Sequence, residues 1–197
     1  VTNTAFTTRA RRVALLAGAA LAALAIAACG DRVPHHFANN QETASSGLYV
    51  DAGPITYQVQ ISRQLNPYSY EDHQYLLGVP KSVSPPGPDQ LWFAVFLWAK
   101  NQTRKTHMLS DHITLTDSLG NTYHPIPLNT RVNLLAWVAK PLPPGATEPG
   151  PDTAASTDPA QGSELLFKLN NSIYNNRPLT LHIYPRRGQE AMVQLDL

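Results

Sequence analysis

The chain has 197 residues, of which 43% are hydrophobic and 15% charged, and it carries 17 prolines. That proportion suits one modest β-rich domain with long loops; it argues against a helical bundle, because proline removes a backbone donor and clashes with the preceding turn, and against a disordered chain. The formal charge is only +1, and no electrostatic footprint for nucleic acid is present.

Residues 1–12 are polar and carry Arg9, Arg11 and Arg12, after which Val13 to Ala28 run without a charge. This is the tripartite plan of a secretory signal. A helix over that apolar run would cover about 24 Å, short of the ~30 Å hydrocarbon core, so a permanent transmembrane helix is the weaker reading. Ile26-Ala27-Ala28-Cys29 resembles the lipobox of bacterial lipoproteins. That resemblance implies a diacylglyceryl group on the Cys29 thiol, cleavage just before it, and a membrane partner reached through lipid, on the extracytoplasmic face of the cell membrane. An ordinary signal peptide or signal anchor is the alternative. Removal of residues 1–28 takes three of the 15 basic side chains and leaves 12 against 14 acidic ones. Cys29 is the only cysteine, which excludes a disulfide within one chain and, once lipidated, a catalytic thiol. From Gly30 to Ser46 the sequence is polar and aperiodic, so residues 29–46 read as the lipidated cysteine and a flexible tether. His35-His36 falls within it as solvated polar surface.

The domain itself spans residues 47–197. Leu48 to Val50 opens it. In Ile55-Thr-Tyr-Gln-Val-Gln-Ile61 the odd positions are apolar and the even ones polar, the pattern of a half-buried strand with all four apolar side chains on one face. Leu91 to Ala99 is apolar on both faces and rich in aromatics, as in a strand inside a sandwich. Ile113 to Asp117 and Asn121 to His124 flank Ser118-Leu119-Gly120, a hairpin signal. Leu165 to Leu169, Leu179 to Tyr184 and Ala191 to Leu197 complete about eight strands. Two connections are long. Residues 67–89 hold Tyr68, Tyr70, Tyr75 and a proline-rich run, and are expected to be partly ordered, with a helical turn around Glu71 to Leu76. Residues 141–162, rich in Pro, Gly, Ala, Ser and Thr, read as a floppy loop. The fold class is an all-β, antiparallel immunoglobulin-like β-sandwich.

The order Trp92 to Asn101, Ile113-Thr-Leu-Thr-Asp-Ser-Leu-Gly-Asn-Thr-Tyr123, Leu142-Pro-Pro-Gly145, Gly162 to Phe167 and Leu179 to Pro185 resembles an uncharacterised bacterial lipoprotein family. Its domains are similar to the telokin-like, immunoglobulin-like fold of secreted actinobacterial antigens. The resemblance covers residues 48–197 and implies a fold rather than a chemistry, with no catalytic residues to carry over. The insertions at 67–89 and 146–161 depart from the family pattern.

No hydrolase elbow, zinc-protease helix, phosphate loop or dinucleotide fingerprint is present. Asp111-His112 could belong to a triad, but neighbours on a strand point to opposite faces. His107, Met108 and His112 are the best metal candidates, and imidazole with thioether would suit copper. They carry the alternative function, a copper-handling envelope lipoprotein; the favoured reading needs no cofactor or enzyme activity. Trp92, Phe96 and Trp98 share one strand face, where they form either a covered second core or an open apolar patch for a protein or glycan. Tyr68, Tyr70 and Tyr75 are the second candidate partner surface. The favoured function is a lipid-anchored binding or structural module acting through an envelope protein partner.

Overall fold

The computed structural model describes the backbone at residues 37–38 and both backbone and side chains over residues 47–195. The signal segment, Cys29 and His35-His36 lie outside the described residues. Among the described residues twelve strands form in chain order: β1 (Phe37–Ala38), β2 (Tyr49–Ala52), β3 (Ile55–Leu65), β4 (Gln90–Lys100), β5 (His107–Met108), β6 (His112–Thr116), β7 (Thr122–Tyr123), β8 (Pro141–Leu142), β9 (Thr147–Glu148), β10 (Ser163–Asn170), β11 (Leu179–Tyr184) and β12 (Ala191–Leu195). The eight strands expected from periodicity are among them. The other four, β1, β5, β8 and β9, are two-residue pairings too short to leave a periodic trace.

One sheet has the order β1-β12-β11-β6-β7, the other β10-β4-β3-β2 with β9 also on β4, and β5 pairs with β8 by itself. Among the described residues all pairings between named strands are antiparallel except that of β1 with β12, which sets Phe37 beside Met192 and Ala38 beside Val193. This pairing lies inside the stretch read as a featureless tether, which is thus extended along the sheet edge at these two residues. Strand alternation does the rest. Leu181, Ile183, Val193 and Leu195 from one sheet meet Phe93, Val95, Leu97 and Phe167 from the other, all buried, the dry interior of a β-sandwich.

The other face of the second sheet carries a second core. Trp92, Ala94 and Phe96 of β4, with Leu65 and Leu166, are buried beneath Tyr75, Leu135 and Ala155 from the long connections. A β-bulge in β3 contributes to this. Val59 lies opposite Leu97 while Ile61 lies opposite Phe96, so Gln60 is an extra residue in the ladder. An added residue reverses the faces that follow it. Ile55, Tyr57 and Val59 therefore enter the inter-sheet core, whereas Ile61 packs against the second core. The single face expected for all four is corrected here: the sequence alternates smoothly through a break in register.

Residues 141–162 are likewise not a floppy loop. Pro141–Leu142 and Thr147–Glu148 are strands, Thr153 forms a capping box on the helical turn Ala154–Thr157, and Ala155 is buried. The Asp158 carboxylate then accepts hydrogen bonds from the Tyr75 hydroxyl at 2.9 Å and the Gln74 amide at 3.2 Å. This joins the two insertions over the sheet. In the first insertion a 3-10 turn forms at His73–Leu76, within the segment where a helical turn was expected, and Arg63 pairs with the buried Asp72 at its start.

The recurring sequence motifs are turn-builders. Asn101 is fully buried; its amide donates to the carbonyls of Lys105 (2.7 Å) and Leu142 (2.8 Å) while its oxygen accepts from Thr103. Its own carbonyl receives the Gly145 N–H, where φ is 75°. Asp117 accepts from the N–H groups of Leu119 and Asn121 and from the side chains of Asn121 and Asn176. Burial alone would raise the Asp117 carboxyl, but these donors hold it below the ordinary carboxylate value.

Candidate binding surface

The six aromatic side chains singled out in the sequence separate into two groups. Trp92 and Phe96 are 5% and 0% exposed, and Tyr75 is 4% exposed, because the chain covers that face with its own insertions. The ring centroids of Tyr75 and Phe96 lie 4.9 Å apart, edge to face. These three therefore form a core and no partner surface. Trp98, farther along the same face, stays half-buried, with its ring 5.9 Å from that of Tyr49. Tyr68 and Tyr70 are 94% and 96% exposed.

Tyr68 stands over a cleft of about 780 Å³ between Gln64–Asn66 and the run Pro85, Pro86 and Pro88, with Trp92 also in its lining. Local chemistry explains the placement. The Tyr68 N–H bonds the Asn66 side chain at 3.0 Å, and Asn66 N–H bonds Asp72 at 2.8 Å, so an Asx turn anchored by a buried carboxylate projects the tyrosine outward. Across the cleft, Lys168 donates to the Ser84 carbonyl at 3.0 Å and Asn171 to the Pro88 carbonyl at 3.1 Å. Both walls are thus tied to the sandwich, while the Tyr68 ring stands open to solvent.

The metal candidates are not brought together. His107 and Met108 form β5 with Leu142 and Pro141 opposite, whereas His112 opens β6 and stacks on Tyr184 with centroids 4.5 Å apart. Among the described residues no group of three His, Cys, Asp or Glu side chains converges. Asp111 bonds Arg186 at 2.9 Å, which lowers its carboxyl pKa, and it does not orient the adjacent His112.

One polar feature escaped the sequence reading. Glu164 is 1% exposed and accepts from the Asn133 amide at 2.9 Å, while its other carboxyl oxygen has no partner. Burial pushes its pKa up to about 8. The strand was read from Leu165, two residues late; an acid set before Leu-Leu-Phe is the signal that could have found it. Asn133 also donates to the carbonyls of Tyr75 and Leu77, so Glu164 and Asn133 hold the insertion layer to the sheet.

No family model matches the chain, and no curated protein matches its sequence. Among solved structures it is similar to ycdA of Bacillus subtilis, named provisionally as a lipoprotein, at 12% identity and a TM-score of 0.49 over 77% of this chain and 39% of that one. This chain thus spans well under half the length of that protein. The yjhA protein of the same organism matches at 11% identity and a TM-score of 0.49 over 76% and 97% of the two chains. An uncharacterised β-sandwich protein of Clostridium difficile matches at 10% identity and a TM-score of 0.42 over 85% and 98%.

Proposed function

We propose that this chain is a lipid-anchored extracytoplasmic binding module that works through protein contacts in the cell envelope and performs no chemistry of its own. The observation that carries the reading is Tyr68, 94% exposed, over a proline-walled cleft whose walls are fixed by hydrogen bonds, with Tyr70, 96% exposed, two residues further along. Tyrosine presents rigid contact area with a polar tip at a low cost in conformational entropy, and it is enriched where protein interfaces concentrate their energy. Rigid walls reduce what must be ordered on association. The lipobox at Cys29 supports the address, since two or three acyl chains make a stable anchor where one is marginal.

Two experiments test the two halves. A photo-crosslinking residue at position 68 or 70 in intact cells should give a discrete protein adduct, absent when the probe replaces Gln194 on the opposite sheet. Equal or no adducts at both places would refute the contact surface. Cys29→Ser should abolish acyl labelling and membrane retention; unchanged retention and processing would refute the anchor.

A further inference from the structure

A second cleft, of about 470 Å³, opens on the outer face of the second sheet where the covering layer stops. Its lining brings together Tyr49 and Trp98 with Gln58, Gln60 and Gln161. The Tyr49 ring, 52% exposed, meets the half-buried Trp98 edge to face at 5.9 Å and 67°. We propose that this cleft binds an uncharged saccharide, one pyranose ring resting on Tyr49 and Trp98 while its hydroxyls bond the glutamine amides.

Four observations converge on that class of ligand. Aromatic rings are the surface on which the C–H face of a sugar ring can be desolvated without displacing a hydrogen bond. Each amide offers two donors and a carbonyl acceptor, which suits vicinal hydroxyls that both donate and accept. Two of the three are already positioned: Gln60 donates to Gln58 at 2.6 Å, and Gln58 donates to the Gly47 carbonyl, so their ordering cost is met before the ligand arrives. Gln161 is held at φ 49°, a left-handed conformation rare for a residue with a side chain, and its amide has no hydrogen-bond partner among the described residues. No charged side chain lines the cleft. A phosphate, a uronic acid or a basic peptide would therefore meet no counter-charge, whereas a neutral hexose would lose none. The site is separate from the Tyr68 and Tyr70 surface and stands or falls independently of it.

The test uses the full chain in an amine-oxide detergent, since glycosidic detergents would compete. Maltotetraose, cellotetraose, mannotetraose and, as a charged control, tetragalacturonate are titrated to about 10 mM, a range that captures interactions of only ~3 kcal/mol. The indole ¹⁵N–¹H signals of the three tryptophans are assigned with Trp→Phe variants. A saturable shift of the Trp98 indole with at least one neutral tetrasaccharide, weakened about tenfold by Tyr49→Ala and by Gln161→Ala, is the expected result. Both variants alter exposed side chains, and unchanged Trp92 and Trp137 signals would report an intact fold. Absence of a saturable shift with all three neutral sugars overturns the proposal. So does equal binding of the galacturonate, or binding that survives both substitutions.

Discussion

Glu164→Gln isolates a buried carboxyl that has one oxygen without a hydrogen-bond partner and no ion pair among the described residues. With a pKa near 8 against an ordinary value of 4.5, the folded chain keeps a proton through that interval while the unfolded chain releases it. Stability is then fullest below about pH 4.5 and falls as pH rises towards 8, because the folded state binds more protons across the window. Each pH unit costs a little over 1 kcal/mol, on the order of 5 kcal/mol across the whole interval. Relaxation that lets water reach the carboxylate absorbs part of this, so about 2 to 4 kcal/mol should be recovered at pH 8 by a glutamine, which cannot ionise and still offers the Asn133 amide an acceptor. At pH 5, where both side chains are largely neutral in the folded state, the two proteins should agree within about 1 kcal/mol. Urea unfolding of the full chain, followed by tryptophan fluorescence at several pH values between 5 and 8, reads both the slope and its loss. A wild-type profile that is flat, or a variant less stable than wild type at pH 8, would mean that the carboxylate is ionised and paired in the folded protein, and the argument from burial would be wrong.

Phe93→Ala empties the inter-sheet core at a residue 0% exposed and should cost about 3 to 5 kcal/mol in the same assay. Gly162→Ala sets a Cβ 2.8 Å from the Phe96 carbonyl carbon and 3.0 Å from the Leu97 nitrogen; backbone cannot give way as a side chain can, so a loss of at least about 1 to 3 kcal/mol is expected, and an unchanged urea midpoint would contradict it. Asp117→Asn removes the charge that two backbone N–H groups and two amides surround. The deficit, about 1 to 2 kcal/mol at pH 7, should close as pH falls from 3.8 through the lowered folded value, and acid unfolding curves that stay parallel would refute it.

Some of this architecture could be read from one strand at a time. β11 and β12 alternate strictly, Leu179, Leu181 and Ile183 inward and Thr180, His182 and Tyr184 outward, because one face meets a core and the other does not. A period of two is local, and so it is visible in sequence. The hairpin at Ser118-Leu119-Gly120 was legible for the same reason, since most of the donors to Asp117 lie within a few residues of it. The register break at Gln60 was not: polar and apolar residues continue to alternate through it, and only the pairing with β4 shows that the faces exchange. The second core was legible only as a strand apolar on both sides. Whether a partner or the chain's own insertions covered Trp92 and Phe96 depended on contacts such as Tyr75 with Asp158, 83 residues apart. No local pattern encodes a bond of that span. It is the tertiary packing that turned three of the six aromatic candidates into core, left Tyr68 and Tyr70 in water, and set Tyr49 beside Trp98.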